Sequence, residues 1–292
     1  MKAGTAGWVF AAPALIVIAL FFGLPVLAAF ALSLTDFDIY ALADLGNLRF
    51  VGLHNYWQLL QDALFWKALG NTLYFVLVGV PLSIGLSLAA AVLLHSRLAR
   101  FTGFYRTAFF APVVTTVVAV AVIWRYLFHT RYGLANWALS SFGLAPIDWL
   151  GDPHWAMPTI IMFAVWKNYG YNMIILLAGL QAIPDDLYEA ARLDGAGAWG
   201  QFRHITLPLL GPVMLVVGIL TMAGYFQLFA EPYVMTQGGP LQSTVSVLYL
   251  MYEQGFRWWN LGNASAVAFL LFALMTVVTA AMMRFARRRG VE

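Results

Sequence analysis

The stretch Trp8–Leu34 reads WVFAAPALIVIALFFGLPVLAAFALSL and contains no charged residue. A helix crossing a bilayer needs about 20 consecutive, mostly apolar residues, and this run is longer than that. Lys2 ahead of it and the small-x-small triplet Ala29-Phe30-Ala31 near its end have the look of a signal peptide. The apolar part of such a peptide is only about 7–15 residues, however. The run is therefore read as a retained first span.

Five more windows have the same character, at about 69–94, 104–128, 156–180, 209–230 and 263–284, to set beside the first at 9–34. Pro25 and Pro81 fall inside two of them, which neighbouring helices make tolerable by re-satisfying the freed carbonyls. The whole chain agrees: of 292 residues, 62% are hydrophobic and 10% charged, with mean hydropathy +0.79. A soluble domain carries about 25% charged residues, so lipid must solvate much of this surface. The expectation is an all-α integral membrane protein of about six spans, forming a single membrane domain over 1–292. A net charge of +3, with basic residues spread along the chain apart from one C-terminal cluster, leaves no nucleic-acid footprint.

Six spans put both termini on one side. Ten of the sixteen Lys and Arg residues then fall on the terminal side, among them Arg97, Arg100, Arg192, Arg203 and Arg287 to Arg289. Five lie opposite, and Lys167 is inside a span. The positive-inside rule places both termini in the cytoplasm. Trp57, Trp66, Trp137, Trp149, Trp155, Trp258 and Trp259 lie on the outer segments, where indoles settle at the interface.

The cytoplasmic connection between the fourth and fifth spans, about 184–208, is not an ordinary loop. Pro184 stops the preceding helix. Asp186 and Glu189 have capping-box spacing, and Gly195 offers the left-handed residue that ends a short helix. A second short segment, Trp199–Ile205, precedes Pro208. Leu187, Ala190, Ala191 and Asp194 repeat at helical spacing and form a small-residue face suited to close docking.

Within that loop Glu189-Ala190-Ala191, three residues, Gly195, nine residues and then Ile205-Thr206-Leu207-Pro208 resemble the EAA signature of bacterial ATP-binding-cassette importer permeases. Ala12-Pro13-Ala14, Phe22-Gly23-Leu24-Pro25, Gly70-Asn71-Thr72, Thr236-Gln237-Gly238-Gly239-Pro240 and Ala264-Ser265-Ala266 extend the resemblance to the carbohydrate-uptake branch, of maltose and glycerol-phosphate type. The first-listed permease subunit of that branch is the nearer likeness. The resemblance implies a type I importer permease fold in the bacterial inner membrane. It implies a second homologous permease subunit as heterodimer partner, two cytoplasmic ATPase subunits, and a periplasmic or lipid-tethered solute-binding protein. It also implies that Glu189, Ala190, Ala191 and Gly195 meet the ATPase.

This chain carries no phosphate-binding loop of its own. Its only lysines are Lys2, Lys67 and Lys167, and none follows a glycine. ATP and magnesium are therefore expected on the partner, with no cofactor here. The histidines lack metal-ligand spacing, the chain has no cysteine, and no span holds a catalytic pair, so neither a catalytic nor a metal site is expected.

A solute path should show as polar or aromatic groups at mid-membrane depth. The fourth span offers Asn168 and Tyr171 on one face, and the fifth offers Thr221, Tyr225 and Leu228 on a stripe with Gly224 and Gln227 beside it. The resemblance places the sugar-lining positions at Asn168, Tyr171, Thr221, Gly224, Tyr225 and Leu228. The maltose permease has asparagines where Tyr225 and Leu228 stand. On spacing alone the same residues serve equally well as helix-packing contacts. Lys167 is read as snorkelling to the outer interface, the alternative being a contact to an anionic solute or to Asp36, Asp38 or Glu231.

The function expected is import of a sugar or sugar-like solute. The alternatives are an importer permease for another solute, or a stand-alone secondary transporter. The latter would show paired intramembrane acids or inverted repeats.

Overall fold

A computed structural model describes residues 3–96 and 101–288. Lys2, Arg97, Arg100 and Arg289, which entered the orientation reading, lie outside them. Among the described residues the chain is all-α, with one isolated β-bridge between Thr35 and Phe50. Five helices are long and apolar enough to cross a membrane: Phe10–Ser33, Ala63–His95, Pro153–Gln181, Gly211–Met235 and Leu261–Arg288. A bent pair, Thr102–Val114 with Val117–Leu127, makes a sixth span if counted as one. They are called the first to sixth spans in chain order, the bent pair being the third.

Local chemistry sets the starts. Asp62 accepts a hydrogen bond from the Leu64 amide at 2.8 Å, and the second span begins at Ala63, earlier than its apolar window. Asp152 caps the fourth span by accepting from the His154 amide at 2.8 Å, with Pro153 at the first helical position. That amide, and then the His154 ring at 3.0 Å, hold the Asp152 carboxyl below its ordinary range.

The chain divides into two compact units. One comprises Met1–Trp66 with Leu250–Phe272. Here Asn55 ties the end of the first span, donating to the Ser33 and Thr35 carbonyls at 2.9 and 2.7 Å. Phe30 meets Phe269 edge to face at 5.2 Å. No residue in the most apolar window of the first span is buried. Lipid or another protein must cover that face.

The other unit comprises Lys67–Tyr249 with Ala273–Glu292, and the fourth span is its post. Met173, Leu176, Leu177 and Leu180 pack with Ala90, Ala91 and Leu94 of the second span and with Leu210 and Val217. Ser87 donates to the Tyr169 carbonyl at 2.8 Å. A β-carbon on Gly170 would collide with the Phe109 carbonyl, so glycine is what lets the first half of the third span lie this close. Outside the membrane, Lys67 and Asn71 donate to the carbonyls of Leu241, Gln242 and Val245, tying down the loop that follows the fifth span.

Two windows that read as continuous are broken. The third span turns by 98° between Val114 and Val117. The fifth span's helix stops at Phe226 and resumes at Ala230–Met235.

The loop between the fourth and fifth spans holds the helix Asp185–Leu193. Its cap is Pro184, with no side-chain hydrogen bond, so the capping box anticipated from Asp186 and Glu189 is not formed. Asp185 and Asp186 instead place negative charge in the first turn, where the helix dipole favours it. Gly195 ends the helix at φ +83°, with the Ala196 amide donating to the Ala191 carbonyl at 2.8 Å and the Gly195 amide to that of Arg192 at 3.1 Å. This is a Schellman closure.

Candidate functional site

A cavity of about 510 Å3 opens between the fourth and fifth spans, within the roughly 300–1,000 Å3 of small-ligand sites. Asn168, Tyr171, Thr221, Gly224, Tyr225 and Leu228, singled out from sequence, all line it. Gln227, read beside that stripe, lines it too, and the structure adds Phe75 from the second span, Asn172 and Glu231. Asn172 stands one helical turn from Asn168, so the spacing that selected Tyr171 points to it as well.

The lining separates into groups already bonded and groups that are free. Asn172 donates to the Thr221 hydroxyl at 2.9 Å and, more weakly, to that of Ser83 at 3.4 Å. Thr221 therefore does double duty, bolting the fourth span to the fifth while facing the cavity. The Leu228 carbonyl accepts from the Ser246 hydroxyl. Tyr225 differs. Its ring is only 4% exposed and lies against Phe75, centroids 4.9 Å apart. Its hydroxyl is buried beside Ser83 and Asn168 yet makes no hydrogen bond of acceptable geometry. A buried hydroxyl without a partner is costly, unless a ligand supplies one. Tyr171, Gly224 and Gln227 remain exposed on the cavity side.

Lys167 does not snorkel. Its side chain is turned inward, 9% exposed, and its ammonium donates to the backbone carbonyls of Pro112 at 3.0 Å and Thr115 at 2.9 Å. These carbonyls sit where the third span breaks. Of the three acids left open by sequence, Glu231 is the one in electrostatic reach, lining the same cavity. Asp36 and Asp38 are engaged in the other unit: Asp36 accepts from the Arg49 amide at 2.7 Å and Asp38 from those of Tyr40 and Ala41.

A larger groove, about 1,150 Å3, runs along Leu82, Leu86, Leu93, Tyr105 and Phe109. It is almost wholly apolar, with nothing to orient a polar solute, and so suits acyl chains or another helix rather than cargo.

Glu189, Ala190, Ala191 and Gly195 are not in the cavity. They lie beyond the far end of the fourth span, whose last residue, Gln181, is about 14 Å along the helix axis from Asn172. Glu189 and Ala190 are exposed, Ala191 half-buried, and Gly195 has nothing near its missing β-carbon. Glu189 has only a loose ion pair to Arg192 at 3.8 Å. Tyr188, on the inner side, meets the Thr206 hydroxyl at 3.0 Å and holds the loop to the start of the fifth span. The loop thus presents a fixed, exposed helix, with Leu193 90% exposed at its end.

Apolar spans, a cavity lined by the middle of the fourth span and an exposed loop helix are the features of a multi-pass membrane permease. Residues 82–291 match the family described as the binding-protein-dependent transport system inner membrane component, and the chain belongs to it. The lactose transport system permease protein LacF of Rhizobium radiobacter is 37% identical over 288 residues, 97% of this chain and 94% of that one. The trehalose/maltose transport system permease protein MalF of Thermococcus litoralis is 37% identical over 286 residues, again 97% and 94%. The fold matches a chain of a bacterial alginate ABC transporter crystallised with its pentasaccharide-bound periplasmic protein. That match has a TM-score of 0.80 at 22% identity and covers 98% of this chain and 96% of the other.

Proposed function

We propose that this chain is one of two permease subunits of an ATP-driven importer, and that its solute is a neutral saccharide or saccharide derivative. The lining of the midplane cavity carries the reading: amides of Asn168 and Gln227, the hydroxyls of Tyr171 and Tyr225, and the rings of Phe75 and Tyr225. Neutral donors and acceptors pair with sugar hydroxyls, and aromatic faces cover sugar C–H faces. The sugar names carried by LacF and MalF support the same class.

On this reading a solute-binding protein delivers the sugar, a second homologous permease completes the pathway, and two cytoplasmic ATPases supply the energy. Both termini face the cytoplasm. Glu189, Ala190, Ala191 and Gly195 form the contact through which ATPase closure rocks the two permease halves about the midplane site.

The test is uptake by the assembled transporter in proteoliposomes, with its binding protein and ATP, against a panel of labelled mono- and disaccharides, amino acids and phosphate. Saturable, ATP-dependent uptake of a saccharide is expected. Uptake confined to an amino acid or to phosphate would sink the saccharide assignment.

A further inference from the structure

We propose that Lys167 is a positioning residue for transport: it is the post that holds the outer half of the broken third span in place beside the cavity. The inference rests on reading that cavity as the solute path.

The two halves of the third span are held differently: the inner half packs backbone-close on the fourth span, whereas the outer half touches it through rings, Trp124 against Phe163 and Trp166 at 5.2 and 5.3 Å, and through Lys167. The inner half, Thr102–Val114, is fixed against the fourth span, because Gly170 admits the Phe109 carbonyl and the Phe109 and Tyr169 rings meet at 5.8 Å. The outer half, Val117–Leu127, leaves at 98°. At such a break, carbonyls that would accept from the next helical turn are left without it, a serious cost inside a membrane. Thr115 answers one need by donating from its hydroxyl to the Pro112 carbonyl at 2.6 Å. Lys167, from the turn of the fourth span next to Gly170, donates to Pro112 and Thr115 at 3.0 and 2.9 Å. A cation also suits the negative end of the inner half-helix. No neutral side chain would supply both terms.

The outer half-span carries part of the cavity wall. Val117 lines the cavity, and so does Glu231, which belongs to the segment Ala230–Met235 packed against Val117–Leu127. Arg125 adds a bond from the outer half-span to the Val234 carbonyl at 3.3 Å. The outer half-span and the end of the fifth span therefore form one wall. Lys167 stands at its hinge, with the Glu231 carboxyl lining the same cavity. Releasing the ammonium should let that wall swing while the fourth-span face of the cavity stays put.

The chain has no cysteine, so single reporters can be placed cleanly. Ala121, fully buried on the outer half-span, and Ala164, 1% exposed on the fourth-span side of the cavity, are the pair. In the assembled complex in membrane fragments open on both sides, Lys167→Met should raise the thiol-labelling rate at Ala121→Cys about tenfold. That is the factor expected for losing hydrogen bonds from a charged donor. The rate at Ala164→Cys should not change, and Lys167→Arg should restore the slow rate at Ala121→Cys. Should Lys167→Met fail to assemble, Lys167→Gln, which keeps an amide donor, should give an intermediate rate. Unchanged labelling at Ala121→Cys in whichever variant assembles, or an equal rise at both reporters, would overturn the proposal. Since no solute is used, a wrong saccharide assignment leaves this result unaffected.

Discussion

The ring of Tyr225 lies so close to Gly79 that a β-carbon on that glycine would stand 2.6 Å from the ring's Cε1. One glycine of the second span thus sets where an aromatic wall of the cavity sits. Phe75, one turn earlier on the same span, packs on the ring from beside it. Gly79→Ala should push Tyr225 toward the cavity and cost about 1–3 kcal/mol of packing. The checks are a lower melting temperature of the purified complex and a changed transport rate per complex. Gly224→Ala on the fifth span is the control, because nothing lies within 4 Å of its β-carbon position. Equal melting temperatures for the two variants would refute the packing role of Gly79.

In the loop between the fourth and fifth spans the question is whether Gly195 matters for its backbone or for a partner's approach. Its φ of +83° strains any residue with a β-carbon, yet its surroundings are empty. Asparagine tolerates the left-handed region better than other residues, whereas a β-branched one pays about 1–2 kcal/mol or more there. If backbone geometry is all that counts, Gly195→Asn should keep solute-stimulated ATP hydrolysis and Gly195→Val should lose it. If the ATPase needs the bare backbone, both variants insert normally and both lose stimulation. Full stimulation in Gly195→Val would remove the loop from the coupling path.

Much of this was legible in the chain because membrane spans are read from apolar length alone, and Pro184 and Gly195 punctuate the loop by backbone chemistry that needs no neighbour. The break of the third span was not legible. Residues 104–128 read as one apolar run, and the group that stabilises the turn, Lys167, arrives from another helix. Read in isolation, that lysine snorkels or meets an acid or an anionic solute; only tertiary structure shows the carbonyls waiting for it. Asn172 hid for a similar reason. Its spacing put it on the polar face, but its Thr221 partner is 49 residues away.

Orientation can be tested with reporters chosen by exposure. Leu144 and Leu241, 57% and 79% exposed on the outer segments, suit cysteine placement, as does Leu193, 90% exposed on the loop helix. In intact cells Leu144→Cys and Leu241→Cys should react with an impermeant thiol reagent and Leu193→Cys should not. Labelling of Leu193→Cys alone would reverse the topology read from the basic residues.

The sharpest contrast lies between two hydroxyls of the same cavity. That of Thr221 is engaged by Asn172, whereas that of Tyr225 is buried and unbonded. Thr221→Val would leave Asn172 only the weak contact to Ser83 at 3.4 Å, at a cost of about 1–3 kcal/mol for the unsatisfied amide. It should lower the melting temperature and the yield of complex more than transport per complex. Tyr225→Phe removes a buried hydroxyl that makes no well-formed hydrogen bond, so its melting temperature should hold or rise. If a sugar hydroxyl bonds to that of Tyr225 during passage, transport per complex should fall about fivefold, the worth of about 1 kcal/mol, with the binding protein's affinity unchanged. Normal transport per complex by Tyr225→Phe would make Tyr225 a packing residue and leave the solute contacts to Asn168, Tyr171 and Gln227.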